Sequence, residues 1–542
     1  MARGTGNITV LAITAMLLSV AVYEGGLGLL QLLGTEPSGN RLYPFTGTFY
    51  NPGPFACYLA LSLPLALRSI SNCQSSAISN LKLVISNFFK SSAICNCKLF
   101  QERAVSPRPP HANEIGNFIL VSLAWVVIVL DAVLLPASMS RTAWCAAVAG
   151  SVVALFGNKV MLFGRRLKEV CTWRRGGNTI PLTKNSPLTL YSSLLIIIAI
   201  CSLLIFGAYR MKEGSADGRF LMWKVAAGAV SPHPFEGVGW RNVAGAYGEA
   251  QELYFASGSA SPNEILVADA PEYVFNEYLQ IAIAYGWGWS LLMVTVLIVA
   301  FVSAFRRGSY GMAGSVAACA VVMTASYPFQ FPISILTIGV ICIATFIGRG
   351  MCVCRGESAL RADAGQTTQA ILSAHRFFCT TWSRRDHVPL IRVPLTSALK
   401  LFFIAFAFSS TVFLIIDCKK FDQNIAFQTG LALHKKGEWE KSNSVMIDLL
   451  PHSSDPMPLN IIGKNYTEVG MHDSAEYYLR RSTLRCPNRL YPHYLLMKLY
   501  LRQPADSSAA KNEAKILLST KEKVPSPAVE QMRKEAVLLI DN

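Results

Sequence analysis

Two arginines stand where a guanidinium could do chemistry. Arg141 lies in Ser140-Arg141-Thr142-Ala143-Trp144, and Arg219 opens the run Gly218-Arg219-Phe220-Leu221-Met222-Trp223-Lys224. A guanidinium is planar, permanently charged, and grips phosphate oxygens through two parallel hydrogen bonds. A pair of them near one membrane surface would suit a lipid-linked pyrophosphate. Taken alone, each also reads as an interfacial anchor whose apolar stem lies along lipid. Around them run segments rich in Gly and Pro, which let backbone pass close to a ligand. These are Phe45–Ala56, Pro232–Trp240, and Tyr285-Gly286-Trp287-Gly288; Phe275–Gln280 precedes the last.

The elements that must position these residues follow from composition. Of 542 residues, 52% are hydrophobic and only 15% charged, with a mean hydropathy of +0.36. An average soluble domain is about 25% charged, so a disordered chain is excluded and a membrane protein expected. A spanning helix needs about 20 apolar residues. About nine candidates follow: 7–33, 54–70, 117–137, 142–163, 189–209, 278–305, 309–327, 332–349 and 398–416. The first is long and lacks a clean cleavage site before Glu36 and Pro37, so it reads as a retained helix and not a signal peptide.

The net charge of +16, from 49 basic and 33 acidic residues, is then a matter of topology. With the N-terminus inside, the inner loops 71–116, 164–188, 306–308 and 350–397 each carry Lys, Arg or both, while the short outer loops carry little beyond Arg41 and Arg141. The positive-inside rule therefore predicts N-inside and C-outside, and accounts for most of the basic excess without nucleic acid. It also puts loop 210–277 and the region 417–542 outside, so any chemistry faces outward. The 14 Cys argue for no metal: Cys95/Cys97 and Cys352/Cys354 are isolated C-x-C pairs with no second pair or His set. The Ser-rich insert 71–100 nearly repeats a nine-residue string and reads as a loop expansion.

The region 417–542 holds a better repeat. Gly463, Tyr466, Gly470, Ala475, Leu479, Ser482 and Pro487 fit the spacing of a tetratricopeptide repeat, a helix pair of about 34 residues. Gly430 and Gly437 precede by 33 residues, and Tyr500 and Ala509 follow by 34. Stacked repeats leave a concave face for a protein partner, here through 424–517.

Five segments, in this order and on this topology, resemble the O-antigen ligase superfamily: Gly47–Pro52 (G-T-F-x-N-P), Ser140–Thr142, Gly218–Trp223, Pro234–Gly239 and Asn276–Gln280. The resemblance covers roughly 10–350. It implies a GT-C-like, all-α polytopic domain (1–416) in the bacterial inner membrane, followed by the soluble helical repeat domain in the periplasm. It also implies transfer, with inversion, of a glycan from undecaprenyl pyrophosphate to lipid A–core, a growing polysaccharide, or Ser/Thr of an exported protein, with no metal, cofactor or nucleotide sugar. Arg141 and Arg219 would hold the pyrophosphate and stabilise the charge developing on it.

Two departures stand out. The superfamily has His immediately before the Asn of the N-x-x-L segment, as general base; here that position is Phe275. The replacements within reach are Glu277, Glu272 beside the apolar run Tyr273–Phe275, and His233 between two prolines. Members also carry about a dozen spanning helices, so the pattern expects further N-terminal helices. A non-catalytic scaffold of the glycan-export machinery, or an inactive truncated member, is the alternative. A transporter is disfavoured, since Glu24 and Asp131 are the only acids in the clearest spans.

Overall fold

A computed structural model describes residues 2–92, 112–173, 213–347, 423–502, 507–521 and 526–541. Every regular element among them is helical. The expected spans 189–209 and 398–416, the C-x-C pairs and loop 350–397 lie outside the described residues.

The membrane part is built from α1 (Ala2–Leu32), α2 (Pro52–Ser92), α3 (Ala112–Ala137), α4 (Arg141–Trp173), α9 (Trp287–Arg306), α10 (Tyr310–Ala325) and α11 (Pro332–Ile347). Among the described residues, five helices are long and apolar enough to cross a membrane, within α1–α4 and α9; α10 and α11 are apolar but shorter, at 16 residues each. The ends carrying the sequence motifs meet at one face of the bundle. Leu18, Phe55, Leu61, Leu134, Ala146, Ala300, Val316 and Ile341 are fully or almost fully buried where these helices meet.

Close packing here depends on small residues, which let helix backbones approach in lipid. A Cβ on Gly150 of α4 would stand 2.8 Å from the carbonyl oxygen of Gly314 in α10. Ser315 donates 2.7 Å to the Leu61 carbonyl, in the turn of α2 that precedes Pro64. That proline cannot donate to the helix ladder, and a neighbouring hydroxyl helps satisfy the loosened turn.

Three boundaries differ from the sequence reading. α2 runs on to Ser92 and α4 to Trp173, well into the expected inner loops, because no Gly or Pro interrupts 71–92 and α4 meets no pair of glycines before Gly176. The expected span 278–305 is two helices, α8 (Glu277–Tyr285) and α9, broken at Gly286. Gly286 has φ 87°, and Trp287 N–H donates 2.8 Å to the Pro234 carbonyl. A Cβ at Gly286 would collide with the Phe235 backbone, so the break needs glycine.

Within the segment expected as an outer loop, residues 213–277 are a folded helical unit and not an open loop. α5 (Glu213–Val230), α6 (Val243–Ala256), α7 (Pro262–Val267) and α8 share a core of Leu221, Val225, Ala226, Val243, Tyr247, Phe255, Val274 and Ile283. Further along the chain come α12 (Gln423–Lys435), α13 (Trp439–Leu449), α14 (Met457–Val469), α15 (His472–Arg485), α16 (Leu490–Leu501), α17 (Ser507–Ser519) and α18 (Pro527–Asp541), each packed on the next. Gly430 and Gly463 both lie where a neighbouring helix crosses: their Cβ atoms would meet Met446 and Leu479.

Candidate active site

The turn between α3 and α4 presents Arg141. Ser138 Oγ donates 2.7 Å to the Leu135 carbonyl and accepts from Ser140 N–H at 3.2 Å. Trp144 Nε1–H donates 2.7 Å to the same Leu135 carbonyl, tying the start of α4 to the end of α3. Arg219 comes from α5 and is half-buried. Its Nη1 donates to Thr142 Oγ1 and to the Ala325 carbonyl, each at 3.1 Å. Thr142 hydroxyl in turn donates 3.3 Å to Ala325. These bonds engage Nη1 alone, which leaves the opposite edge of the guanidinium for a ligand.

Burial, and next the positive charge of Arg141, lower the Arg219 pKa from its ordinary value. An arginine so lowered is still charged at neutral pH. The charge of Arg141 is therefore felt at Arg219. Cys57 of α2 lies against Ser140, Ser326 and Arg219, so four helix ends converge here.

The remaining motifs brace this site from behind. Gln31 of α1 accepts from the N–H groups of Thr46 (2.9 Å) and Gly47 (2.8 Å). Glu24 accepts from Thr48 N–H (3.2 Å) and hydroxyl (2.8 Å). Gly47 has φ 54°, and a Cβ there would strike the Phe55 ring. One of the two acids singled out inside the spans is therefore a structural clasp. It sets Phe49, whose ring lies 5.1 Å from Phe331 beside the site.

Gly237 and Gly239 belong to a strap in which Val238 and Gly239 N–H groups each donate 2.9 Å to the carbonyls of Ile283 and Ala284. The strap holds the end of α8. At the other end, Asn276 caps the helix through Leu279 N–H, and Tyr278 hydroxyl donates to the Ala320 carbonyl. Gln280 Oε1 accepts from Val274 N–H at 3.1 Å. The N-E-Y-L-Q motif is thus a bracket for residues 274–275.

The structure separates the three candidate bases. Glu277 is fully buried; Oε1 accepts from Phe329 N–H at 2.8 Å, and Oε2 accepts from no described residue. It lies outside the five spans, and burial pushes its carboxyl up to about 8 against the opposing Phe329 bond. His233 is half-exposed and 3.3 Å from Glu236, in the strap loop. Glu272 is exposed and accepts 2.8 Å from the Tyr273 hydroxyl.

Tyr273 stacks on Tyr327 (4.9 Å, 18°), and Phe275 meets Tyr327 edge-on at 4.8 Å. Phe275 also lies over the Arg219 guanidinium, 5.4 Å from its ring centre, in cation–π range. Phe275 has φ 53°, a left-handed conformation that a residue with Cβ rarely adopts. Tyr327 feels the charges of both Glu272 and Arg219, and burial raises its phenol to about 12. Of the three candidates, Glu272 is the one whose charge reaches Tyr327, which also feels Arg219.

Sequence reasoning missed Tyr327, which sits in an uncharged turn with no motif around it. Among the described residues no group of His, Cys, Asp and Glu is placed to hold a metal ion.

No curated protein and no solved structure matches this chain. Residues 126–292 match the family model for O-antigen ligase; that stretch carries Arg141, Arg219 and the 272–280 bracket, and the match supports the resemblance of this multi-pass membrane chain to the O-antigen ligase superfamily.

Proposed function

We propose that this protein moves a glycan from undecaprenyl pyrophosphate to a hydroxyl acceptor at the periplasmic face of the bacterial inner membrane. The observation that carries the reading is the pairing of Arg219, fixed by Thr142 and Ala325, with Arg141 at one end of the bundle. The acceptor oxygen would attack the anomeric carbon from the face opposite the pyrophosphate. The sugar–phosphate C–O bond breaks, the pyrophosphate leaves with the electron pair, and the acceptor proton passes to Glu272. Arg141 and Arg219 take up the charge that grows on the leaving group, in a site that needs no reorganisation to meet it. This assigns the base to Glu272 ahead of Glu277 and His233.

The arrangement of Lys and Arg supports an N-inside orientation. The region 423–541 touches α6 through Arg481, Arg485 and Glu252, which supports placing the outer unit and the C-terminal region on one side of the membrane. The repeat spacing, with Gly430 and Gly463 at matching crossings, supports a tetratricopeptide-like domain over 417–542. Such a domain favours a protein Ser/Thr acceptor or assembly partner over lipid A–core.

The test is transfer in proteoliposomes with lipid-linked glycan from the source membranes. Arg219→Ala and Arg141→Ala should each lower turnover by about 10²–10³, the usual effect of deleting one such donor. Wild-type turnover in both variants would sink the mechanism. In cells, a deletion strain complemented by wild type or Arg219→Ala names the acceptor: the glycan pool that only wild type restores, lipid-linked or protein-linked, is the product.

One observation favours a second reading, a non-catalytic scaffold. Phe275 occupies the position of the superfamily's His and its ring covers Arg219. Absence of turnover with stable capture of glycan-export components through 424–517 would support it.

A further inference from the structure

Segment 266–276 leads into Phe275, whose ring lies over Arg219, and after Val267 it has no helix or strand of its own. Its carbonyl groups are instead taken by side chains from distant parts of the chain. Asn488, between α15 and α16, donates to the carbonyls of Leu266 (3.0 Å) and Ala268 (2.6 Å). Ser454, before α14, donates 2.8 Å to the Pro271 carbonyl. Gln251 of α6 donates 3.0 Å to the Asp269 carbonyl, and also to the carbonyl of Arg485.

The docking behind these bonds is tight. A Cβ on Gly245 would collide with the Pro451 carbonyl, and one on Gly248 would stand 3.1 Å from the Arg485 guanidinium. Both glycines are buried on α6.

Immediately after Pro271 come Glu272, Tyr273 and Phe275. Phe275 holds its left-handed backbone while lying over Arg219, and such a conformation persists only where its surroundings over-determine it. Gln280 fixes Val274 from the membrane side. Ser454 and Asn488 fix 266–271 from the other.

We propose that Ser454 and Asn488 are positioning residues for the transfer site, and that through them the C-terminal helices set Glu272, Tyr273 and Phe275 against Arg219. On this view the C-terminal region is a fixed wall of the site and not a tethered module. The proposal rests on the reading of Arg219 given above. Arg219 is itself held by Thr142 and Ala325, from the membrane helices. Loosening the wall should therefore spare pyrophosphate binding and damage the chemical step.

The experiment uses the full chain in nanodiscs. Turnover is read as release of undecaprenyl pyrophosphate from the source membranes' lipid-linked glycan. Donor-site binding is read by tryptophan fluorescence on titration with undecaprenyl pyrophosphate. Hydrogen exchange reports on 266–276. Asn488→Asp removes the amide donor at constant shape, Ser454→Ala removes the hydroxyl, and Ser454→Thr keeps it. The double variant Asn488→Asp/Ser454→Ala should exchange faster at 266–276 and turn over at least roughly tenfold more slowly, with undecaprenyl pyrophosphate affinity within about twofold of wild type. Ser454→Thr should stay within about threefold of wild type throughout. Arg219→Ala should lose both turnover and binding. Faster exchange with wild-type turnover in the double variant, or unchanged exchange at 266–276, overturns the positioning role alone. Wild-type turnover in Arg219→Ala overturns the reading of the site and this proposal with it.

Discussion

Glu252 of α6 should be the residue on which docking of the C-terminal helices depends most. Its carboxylate accepts from Arg481 Nε at 2.8 Å and from Arg485 Nε at 2.7 Å, and a second nitrogen of Arg485 lies 2.5 Å away. The Arg485 side chain is 0% exposed and Glu252 only 11%. Removing Glu252 leaves a guanidinium buried without its counter-charge, held by the 3.2 Å bond to the Ser453 carbonyl. Breaking a buried pair in this way costs about 3–5 kcal/mol. At about 1.4 kcal/mol per tenfold, Glu252→Ala should raise the opening equilibrium of the interface by roughly 10²–10³ or more. Arg481→Ala should cost about 1 kcal/mol or less, because that side chain is 22% exposed and Glu252 keeps Arg485. Replacing both buried partners, Glu252→Met with Arg485→Met, should recover most of the loss, since apolar chains of similar volume substitute well for a buried pair. Native-state hydrogen exchange of peptides within 243–256 and 475–488 in the full-length protein measures each opening free energy. The reasoning fails if Glu252→Ala costs under about 1 kcal/mol, or if the double variant is as unstable as the sum of its two singles.

Three further outcomes follow from the geometry. Glu272→Gln should lower turnover by about 10²–10⁴, the usual share of a general base, while His233→Gln and Glu277→Gln change it only a fewfold. The amide of Glu277→Gln keeps an oxygen for Phe329 N–H, so a pH–rate profile that loses a step near pH 8 in this variant would reassign the base to Glu277. Gly150→Ala should destabilise the bundle by about 1–3 kcal/mol, because its Cβ meets the Gly314 carbonyl oxygen and Ala318; thermal unfolding in detergent measures this, and an unchanged midpoint would show the helices can part freely. Glu264 has its carboxyl held down to about 2, first by Ser261 N–H and then by Lys224. A depressed carboxyl gives stability that is present above its ordinary value of 4.5 and lost as pH falls toward 2. The difference in midpoint between wild type and Glu264→Gln should therefore shrink as pH falls from 4.5 to 2; a constant difference would show that the ion pair with Lys224 does not form.

Composition alone settles the class of the protein. Long apolar runs flanked by Arg and Lys can satisfy their backbone in lipid only as helices, so α1–α4 and α9 were legible before any coordinates. Arg141 and Arg219 stood out as candidates because charged side chains beside apolar runs are costly. The break at Gly286 was not, since a glycine inside an apolar run carries no mark of its backbone angle; only the Phe235 backbone pressed against it demands φ 87°. The placement of the candidate bases was not legible either. Glu272 and Glu277 belong to one short segment, yet α8 buries the second against Phe329 while the turn leaves the first beside Tyr273 and Tyr327. Nothing in the local sequence marks Arg485 or Asn488. Their partners, Glu252 and the carbonyls of Leu266 and Ala268, lie 233, 222 and 220 residues away in the chain. Local pattern encodes periodicity and burial, and it says nothing about which distant backbone a side chain will meet. That pairing is settled only when helices α5–α8 and the C-terminal helices pack together.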